Sequence, residues 1–247
     1  VFEGFSRDLL ILVPAYNEEL SVGATIESIR RHDPRLPVLV VDDGSLDGTT
    51  TVARRHGATV ITLPRHLGLG GAVQTGYKLA YEEGFENVIR MDADGQHPPE
   101  KIPELLDALK RSGCEVVIGS RFVGELWRAQ SGLRGAGTRL FRFLLRPILG
   151  RWVYDPTSGF IGVNRKALAV FAAAFPLEYP EIEMLVVLQR RTFQFTEVPC
   201  EMRPRIAGSS TLTPKASFYY MVHVLLGFLM NVLRFPGFGA RRRRTSP

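Results

Sequence analysis

Short apolar runs alternate with helical patterns along the first half of this chain, and that alternation narrows its possible folds more than any other feature. The runs lie near 9–13, 37–41, 58–62, 87–91 and 115–119, and helical periodicity fills 18–32, 47–57, 68–84 and 98–112. Strands that are apolar on both faces, each returning through a helix, build a parallel sheet covered by helices on both sides. After residue 120 the pattern changes. A loop or short helix at 121–131 leads to an Arg-studded amphipathic stretch at 132–150, then a strand at 160–163, helices at 165–173 and 181–191, and a strand at 194–200. The expected class is α/β, with one domain over residues 1–212 and an appendage over 213–247. At 247 residues and 45% hydrophobic, the chain can bury one full core.

Three of the strands run straight into polar clusters. Leu9–Val13 meets Pro14-Ala15-Tyr16-Asn17-Glu18, Val38–Val41 meets Asp42-Asp43-Gly44-Ser45, and Asn87–Met91 meets Asp92-Ala93-Asp94. Ligands of open α/β sheets bind outside the carboxyl ends of the strands, where these clusters fall. Asp92 and Asp94 can converge on one cation, and carboxylate oxygens joined by diphosphate oxygens are what Mg²⁺ or Mn²⁺ takes. The side-chain oxygen of Gln96 is a third candidate ligand. For Asp42, Asn17 and Ser45, local turn capping stands beside a ligand role. Asp47 is placed to cap the second helix, and Pro98-Pro99 suits the start of the fourth. Gly68-Leu69-Gly70-Gly71 opens the third helix and reads better as a packing surface than as a phosphate cradle. It is not Gly-x-Gly-x-x-Gly, which counts against a dinucleotide-binding oxidoreductase.

The net charge of +6 is concentrated rather than spread. Arg241–Arg244 form one block, and residues 121–151 hold seven Arg against one Glu. This points to two local sites of anion contact, and the acidic edge of the sheet argues against nucleic acid. Cys114 and Cys200 are too few for a disulfide framework and read as core thiols. No signal peptide is visible, and because the chain starts at Val1 an upstream segment or anchor is allowed for. Ser217–Phe235 would span about 28 Å as a helix, borderline for a bilayer core of roughly 30 Å. His223 and Asn231 interrupt it, and Lys215, Arg234 and Arg241–Arg244 flank it. A helix lying in the membrane interface fits this pattern better than a span, each arginine adding about 1 kcal/mol of attraction to anionic lipid.

Val13–Glu19 (VPAYNEE), Val40–Ser45 (VVDDGS) and Asp92–Glu100 (DADGQHPPE), in that order, resemble family 2 glycosyltransferases of GT-A type. The nearer resemblance is to the dolichyl-phosphate mannose synthase and polyprenyl-phosphate glycosyltransferase branch, over roughly residues 8–212. It implies a GT-A fold, a mostly parallel central sheet flanked by helices, with a C-terminal amphipathic membrane-associated helix. The implied reaction is inverting, metal-dependent transfer of mannose or glucose from a GDP- or UDP-sugar to polyprenyl or dolichyl monophosphate. It would take place at the cytoplasmic face of the cell membrane. An alternative within the family is a glycan or protein acceptor, which needs a convincing base and no cationic segment.

Residue roles are implied by the same resemblance. Pro14 and Tyr16 shape a base pocket, Glu18 and Asp43 bind base and ribose, Val41 adds a contact, and Asp92, Ala93 and Asp94 complete the nucleotide-sugar site. Asp92, Asp94 and Gln96 hold Mg²⁺ or Mn²⁺. Arg121 and Arg205 approach diphosphate and count with Asp94 as catalytic; Arg121, Arg134, Thr138 and Ser210 approach the acceptor phosphate. Glu183 matches a position near the active site, as a base or as a group that orders the arginines. The second role is preferred, since a lipid phosphate with a second pKa near 6 is already largely ionised. Arg139, Arg142 and Arg146 read as solvated or lipid-facing, and His97 as a surface residue. Two departures stand out: Thr211 where many synthases have Lys, and His66 where Asn is common.

Overall fold

Period-two alternation in the first strand sets the two sides of the molecule. In the computed structural model, which describes residues 2–123, 142–143, 145–147 and 149–206, that strand is β1, Leu9–Ala15. Leu9, Ile11 and Val13 pack into one buried cluster, and Leu10 and Leu12 into another on the opposite face. The remaining strands are β2 (Val38–Asp42), β3 (Thr59–Thr62), β4 (Asn87–Arg90), β5 (Val116–Ser120), β6 (Ile161–Asn164) and β7 (Phe195–Pro199). The helices are α1 (Val22–His32), α2 (Thr49–Arg55), α3 (Leu69–Glu82), α4 (Ile102–Ser112), α5 (Arg165–Ala173) and α6 (Pro180–Arg190). Helices α1, α2 and α4 cover the Ile11 face, and α3, α5 and α6 cover the Leu12 face.

The sheet runs β3-β2-β1-β4-β6-β5-β7. Every pairing is parallel except those of β6, which lies antiparallel between β4 and β5. The mostly parallel sheet flanked by helices is the one expected. Strand order reverses at β1, with β2 on one side and β4 on the other, so the polar clusters that follow these three parallel strands lie side by side and line a crevice at one edge of the sheet.

Local differences from the sequence reading have local causes. Helix α1 begins at Val22 rather than near 18, because Ser21 and Val22 donate to the Glu18 carbonyl in a turn just after Asn17, which sits at φ +53. Asp47 holds the start of α2 from one residue further out, its Oδ1 accepting from the Thr49 N–H at 3.0 Å while Gly48 occupies the cap. Gly70 is a packing residue: a Cβ there would lie 2.3 Å from the Pro176 carbonyl oxygen. Both cysteines are free and buried, and burial pushes the Cys200 thiol up to about 12.

Arg142 corrects the expectation of a solvated or lipid-facing side chain. It is buried, its Nε donates to the Tyr154 carbonyl at 2.6 Å, and its guanidinium lies over the Phe122 ring. Arg146 is exposed and sits over Trp152. The expectations for Arg134, Thr138, Arg139, Ser210, Thr211 and the 213–247 appendage fall outside the described residues.

Candidate active site

The crevice is lined by residues at or just past the strand ends. Tyr16 and Glu18 come from β1, Asp43 from β2, Asp92 and Asp94 from β4, and Arg121 from β5. Because β6 runs the other way, its entry end brings Thr157–Gly159 to the same side.

Asp92 is fixed from three directions. Its N–H donates to His97 Nδ1 at 2.9 Å, which leaves the imidazole proton on Nε2. The His97 ring is buried and stacked on Phe160 with centroids 4.9 Å apart. Burial lowers its pKa, so His97 is a neutral, structural ring and not the surface residue expected. Asp92 Oδ1 accepts from Arg90 Nη2 at 3.3 Å, and Gly159 passes so close that a Cβ there would lie 2.5 Å from Asp92 Oδ2. Burial raises the Asp92 carboxyl, and the charge and hydrogen bond of Arg90, with the charge of Arg205, act against it.

Asp94 is buried, and its Oδ1 accepts from the Gln96 N–H at 2.9 Å. Its Oδ2 faces Arg205 Nη2 at 2.9 Å, and Arg205 Nη1 lies 4.0 Å from Glu18 Oε1. Arg205 arrives on an arm that pairs with the Asp94–Gln96 turn: Arg203 N–H donates to the Gln96 carbonyl and Ile206 N–H to the Asp94 carbonyl. The Gln96 side-chain nitrogen donates to the Arg203 carbonyl at 3.3 Å. Gly95, at φ +78, has no room for a Cβ under the Ile206 side chain. The protein's own cation therefore stands on the carboxylate expected to hold a metal. Among the described residues no group of three or more His, Cys, Asp or Glu gathers to cage an ion. A small oxygen set of Asp92, Asp94 and Gln96 fits Mg²⁺ or Mn²⁺ completed by phosphate oxygens, and does not suit zinc.

On the β1–β2 side, Tyr16 stacks on His66 with centroids 4.0 Å apart. His66 Nδ1 is 2.8 Å from Asp43 Oδ2, and Asp43 Oδ1 accepts from the Leu67 N–H at 2.7 Å. Glu18 accepts from the Ser21 hydroxyl. Burial raises its carboxyl above the ordinary range, with Asp94 and Asp92 adding to the effect against Ser21 and Arg205. Asp42, Asn17 and Ser45 cap turns: Asp42 Oδ1 accepts from the Ser45 N–H, Asn17 Oδ1 from the Leu46 N–H, and the Asn17 N–H donates to Ser45 Oγ. Pro14 and Ala93 are buried at their strand ends. Val41 is fully buried in the core beneath α3, because strand alternation turns it away from the crevice, so the contact expected of it is not where its side chain lies.

Arg121 grips Asp155 with two nitrogens, Nε to Oδ2 at 2.7 Å and Nη2 to Oδ1 at 2.8 Å, and Nη2 also reaches Thr157 Oγ1 at 3.0 Å. The Asp155 N–H donates in turn to Glu197 Oε1. Glu183 has no hydrogen-bonded side-chain partner among the described residues, and burial, ahead of the charge of Glu178, raises its carboxyl. On the same helix it is Glu181 that reaches an arginine, its Oε1 accepting from Arg90 Nη2 at 2.7 Å. Arg90 was missed by the sequence reading. Its signal was present, a charged residue in the middle of the apolar run Val88-Ile89-Arg90-Met91 on a strand covered on both faces.

The profile described as Glycosyl transferase family 2 matches residues 10–171. A dolichol-phosphate mannosyltransferase of Pyrococcus furiosus is 32% identical over 227 residues, covering 87% of this chain and 62% of that protein. This chain thus spans less than two thirds of that relative's length. A dolichyl-phosphate hexose transferase of Haloferax volcanii is 33% identical over 215 residues, covering 85% of this chain and 88% of the relative. Among solved structures, glucosyl-3-phosphoglycerate synthase from Mycobacterium tuberculosis, with Mn²⁺, UDP and phosphoglyceric acid, superposes with a TM-score of 0.70 at 23% identity. The match covers 94% of this chain and 84% of that one, and it shows a shared fold.

Proposed function

This chain belongs to glycosyl transferase family 2 and is a glycosyltransferase of GT-A fold, and from that premise we propose that it moves a hexose, mannose or glucose, from a GDP- or UDP-sugar to the phosphate of a polyprenyl or dolichyl lipid. The observation that carries the reading is the gathering of Asp92, Asp94, Arg121 and Arg205 at the strand ends beside the switch point. The acceptor class is supported by relatives at 32% and 33% identity that are named for dolichyl-phosphate chemistry.

In this reading Tyr16 and Asp43 meet the base and Glu18 the ribose. Asp94, with Asp92 and Gln96, would hold Mg²⁺ or Mn²⁺. When bound, that ion neutralises the charge that builds on the diphosphate leaving group as the glycosidic bond breaks. Arg205 then leaves Asp94, and its guanidinium fork matches the phosphate oxygens. Arg121, held in place by Asp155, offers a second positive group on the β5 side. The acceptor phosphate oxygen attacks the anomeric carbon from the face opposite the nucleotide, so configuration inverts. That oxygen is already ionised at neutral pH, and no strong protein base is required. The chain's work is positioning and charge neutralisation.

The proposed location is the cytoplasmic membrane face, through the cationic 121–151 segment and the apolar stretch Ser217–Phe235. Among the described residues no helix is long and apolar enough to cross a membrane. The test is transfer of radiolabelled sugar from GDP-mannose and from UDP-glucose to a short-chain polyprenyl phosphate with Mg²⁺ or Mn²⁺. The expected product is chloroform-soluble and labile to mild acid with one of the donors. Donor binding without any lipid product overturns the acceptor assignment.

A further inference from the structure

Arg90 is the largest fully buried side chain in the described protein, and it carries a charge. It ends β4 in the middle of the sheet, paired with Leu12 of β1 on one side and Ile161 of β6 on the other. Its guanidinium is only 1% exposed, and its charge is met by Glu181 on α6, itself largely buried.

Stability does not explain this pair. Desolvating two charges generally offsets their attraction, and apolar side chains of similar volume in place of a buried ion pair are often neutral or stabilising. Nor are the donors of Arg90 saturated. Among the described residues its Nε and Nη1, and the neighbouring Tyr77 hydroxyl, have no hydrogen-bond partner. One nitrogen, Nη2, makes both of its contacts, to Glu181 Oε1 at 2.7 Å and to Asp92 Oδ1 at 3.3 Å. An apolar pair could fill this space but could not do the second of these things. His97 fixes the backbone of Asp92, and Gly159 bounds the Oδ2 side. Among the described residues Arg90 alone holds Oδ1.

We propose that Arg90, oriented by Glu181, is a positioning residue that sets the Asp92 carboxylate for the cation and diphosphate of the donor. The proposal rests on the donor-site reading under Proposed function. It makes α6 part of the site at one remove, since Ile182, Leu185 and Leu188 lock that helix into the core while Glu181 reaches Arg90. Outer partners of metal-binding carboxylates typically carry 10- to 100-fold effects on affinity or rate, and an effect of about that size is expected here.

The experiment replaces the pair by apolar side chains, Arg90→Met with Glu181→Leu, in the full chain. Binding of Mn²⁺ with UDP or GDP is read by electron paramagnetic resonance of the bound ion, together with thermal melting. The double variant should melt at or above the wild-type temperature yet bind the Mn²⁺–nucleotide about 10- to 100-fold more weakly. Unchanged binding by a folded double variant overturns the proposal. Glu181→Gln keeps the volume and leaves Arg90 without its counter-charge; should the double variant fail to fold, weaker binding by this variant supports the proposal and unchanged binding overturns it. Asp92→Asn separates the two layers. If it binds Mn²⁺–nucleotide normally, the donor-site role of Asp92 falls and the proposal falls with it. If it binds weakly while the double variant binds normally, only the role of Arg90 is lost.

Discussion

Gly159→Ala adds one methyl group beside Asp92 and nothing else. The new Cβ would stand 2.5 Å from Oδ2, 2.8 Å from Oδ1 and 3.0 Å from Cγ, where ordinary contact begins at 3.4 Å. The carboxylate must therefore retreat by about 1 Å, a distance whose typical catalytic consequence is about 100-fold. It cannot retreat freely, because Arg90 holds Oδ1 and His97 holds the backbone. Gly159 is not among the glycines with positive φ, so alanine brings no backbone strain of its own. The stability cost should be that of modest overpacking, about 1–3 kcal/mol. The assay is kcat/KM for sugar transfer per folded molecule, beside thermal melting. Gly162→Ala is the control: its Cβ would press on Val117 in the core, 2.6 Å from Cγ1, and should lower the melting temperature while leaving transfer nearly unchanged. The reasoning is refuted if Gly159→Ala stays within about threefold of wild type.

Arg205→Met should act in two opposite directions. Freeing Asp94 from a half-exposed ion pair worth about 1 kcal/mol raises the affinity for Mn²⁺ without nucleotide by about fivefold, while losing a diphosphate contact lowers transfer by about 100-fold or more; an unchanged Mn²⁺ affinity in titration would contradict the Asp94 contact. Asp94→Ala should abolish transfer with the melting temperature preserved, and near-normal turnover in excess chelator would rule out the metal. The pH dependence of stability should show Glu115. Burial raises its carboxyl, but the Lys166 ammonium and the Gln194 N–H outweigh burial and lower it overall. A depressed folded pKa gives stability that is complete above the unfolded value of about 4.3 and is lost as pH falls through the folded value. Glu115→Gln should therefore be less stable at neutral pH and show a flatter acid limb in melting experiments, and parallel wild-type and variant profiles would be the disproof.

The parts of the fold that read directly from the chain are those that local pattern determines. Leu9–Ala15 and Val38–Asp42 are strands because every residue is apolar or small up to a polar end, and Asp92 and Asp94 announce themselves by coming directly after such a strand. Pairing of distant segments is not local, and nothing in the chain before β6 declares that it will insert antiparallel between β4 and β5. The misreadings share that cause. His97 precedes two prolines and looks like a loop tip, yet the turn carries it onto Phe160, which lies far along the chain. Arg142 sits in a basic stretch and looks solvated until Phe122 and Tyr154 close on it. Glu181 and Glu183 are two residues apart on α6, and only the packing of that helix decides which of them reaches an arginine.

The central claim is that a phosphate oxygen of a lipid is the nucleophile. Phosphorus-31 nuclear magnetic resonance of short-chain polyprenyl monophosphate, incubated with the protein, donor and Mg²⁺, reads that bond directly. The account predicts that the monoester resonance converts to a phosphodiester resonance in step with release of the nucleoside diphosphate. Donor consumption with the monoester resonance untouched would place the sugar on some other acceptor and contradict it.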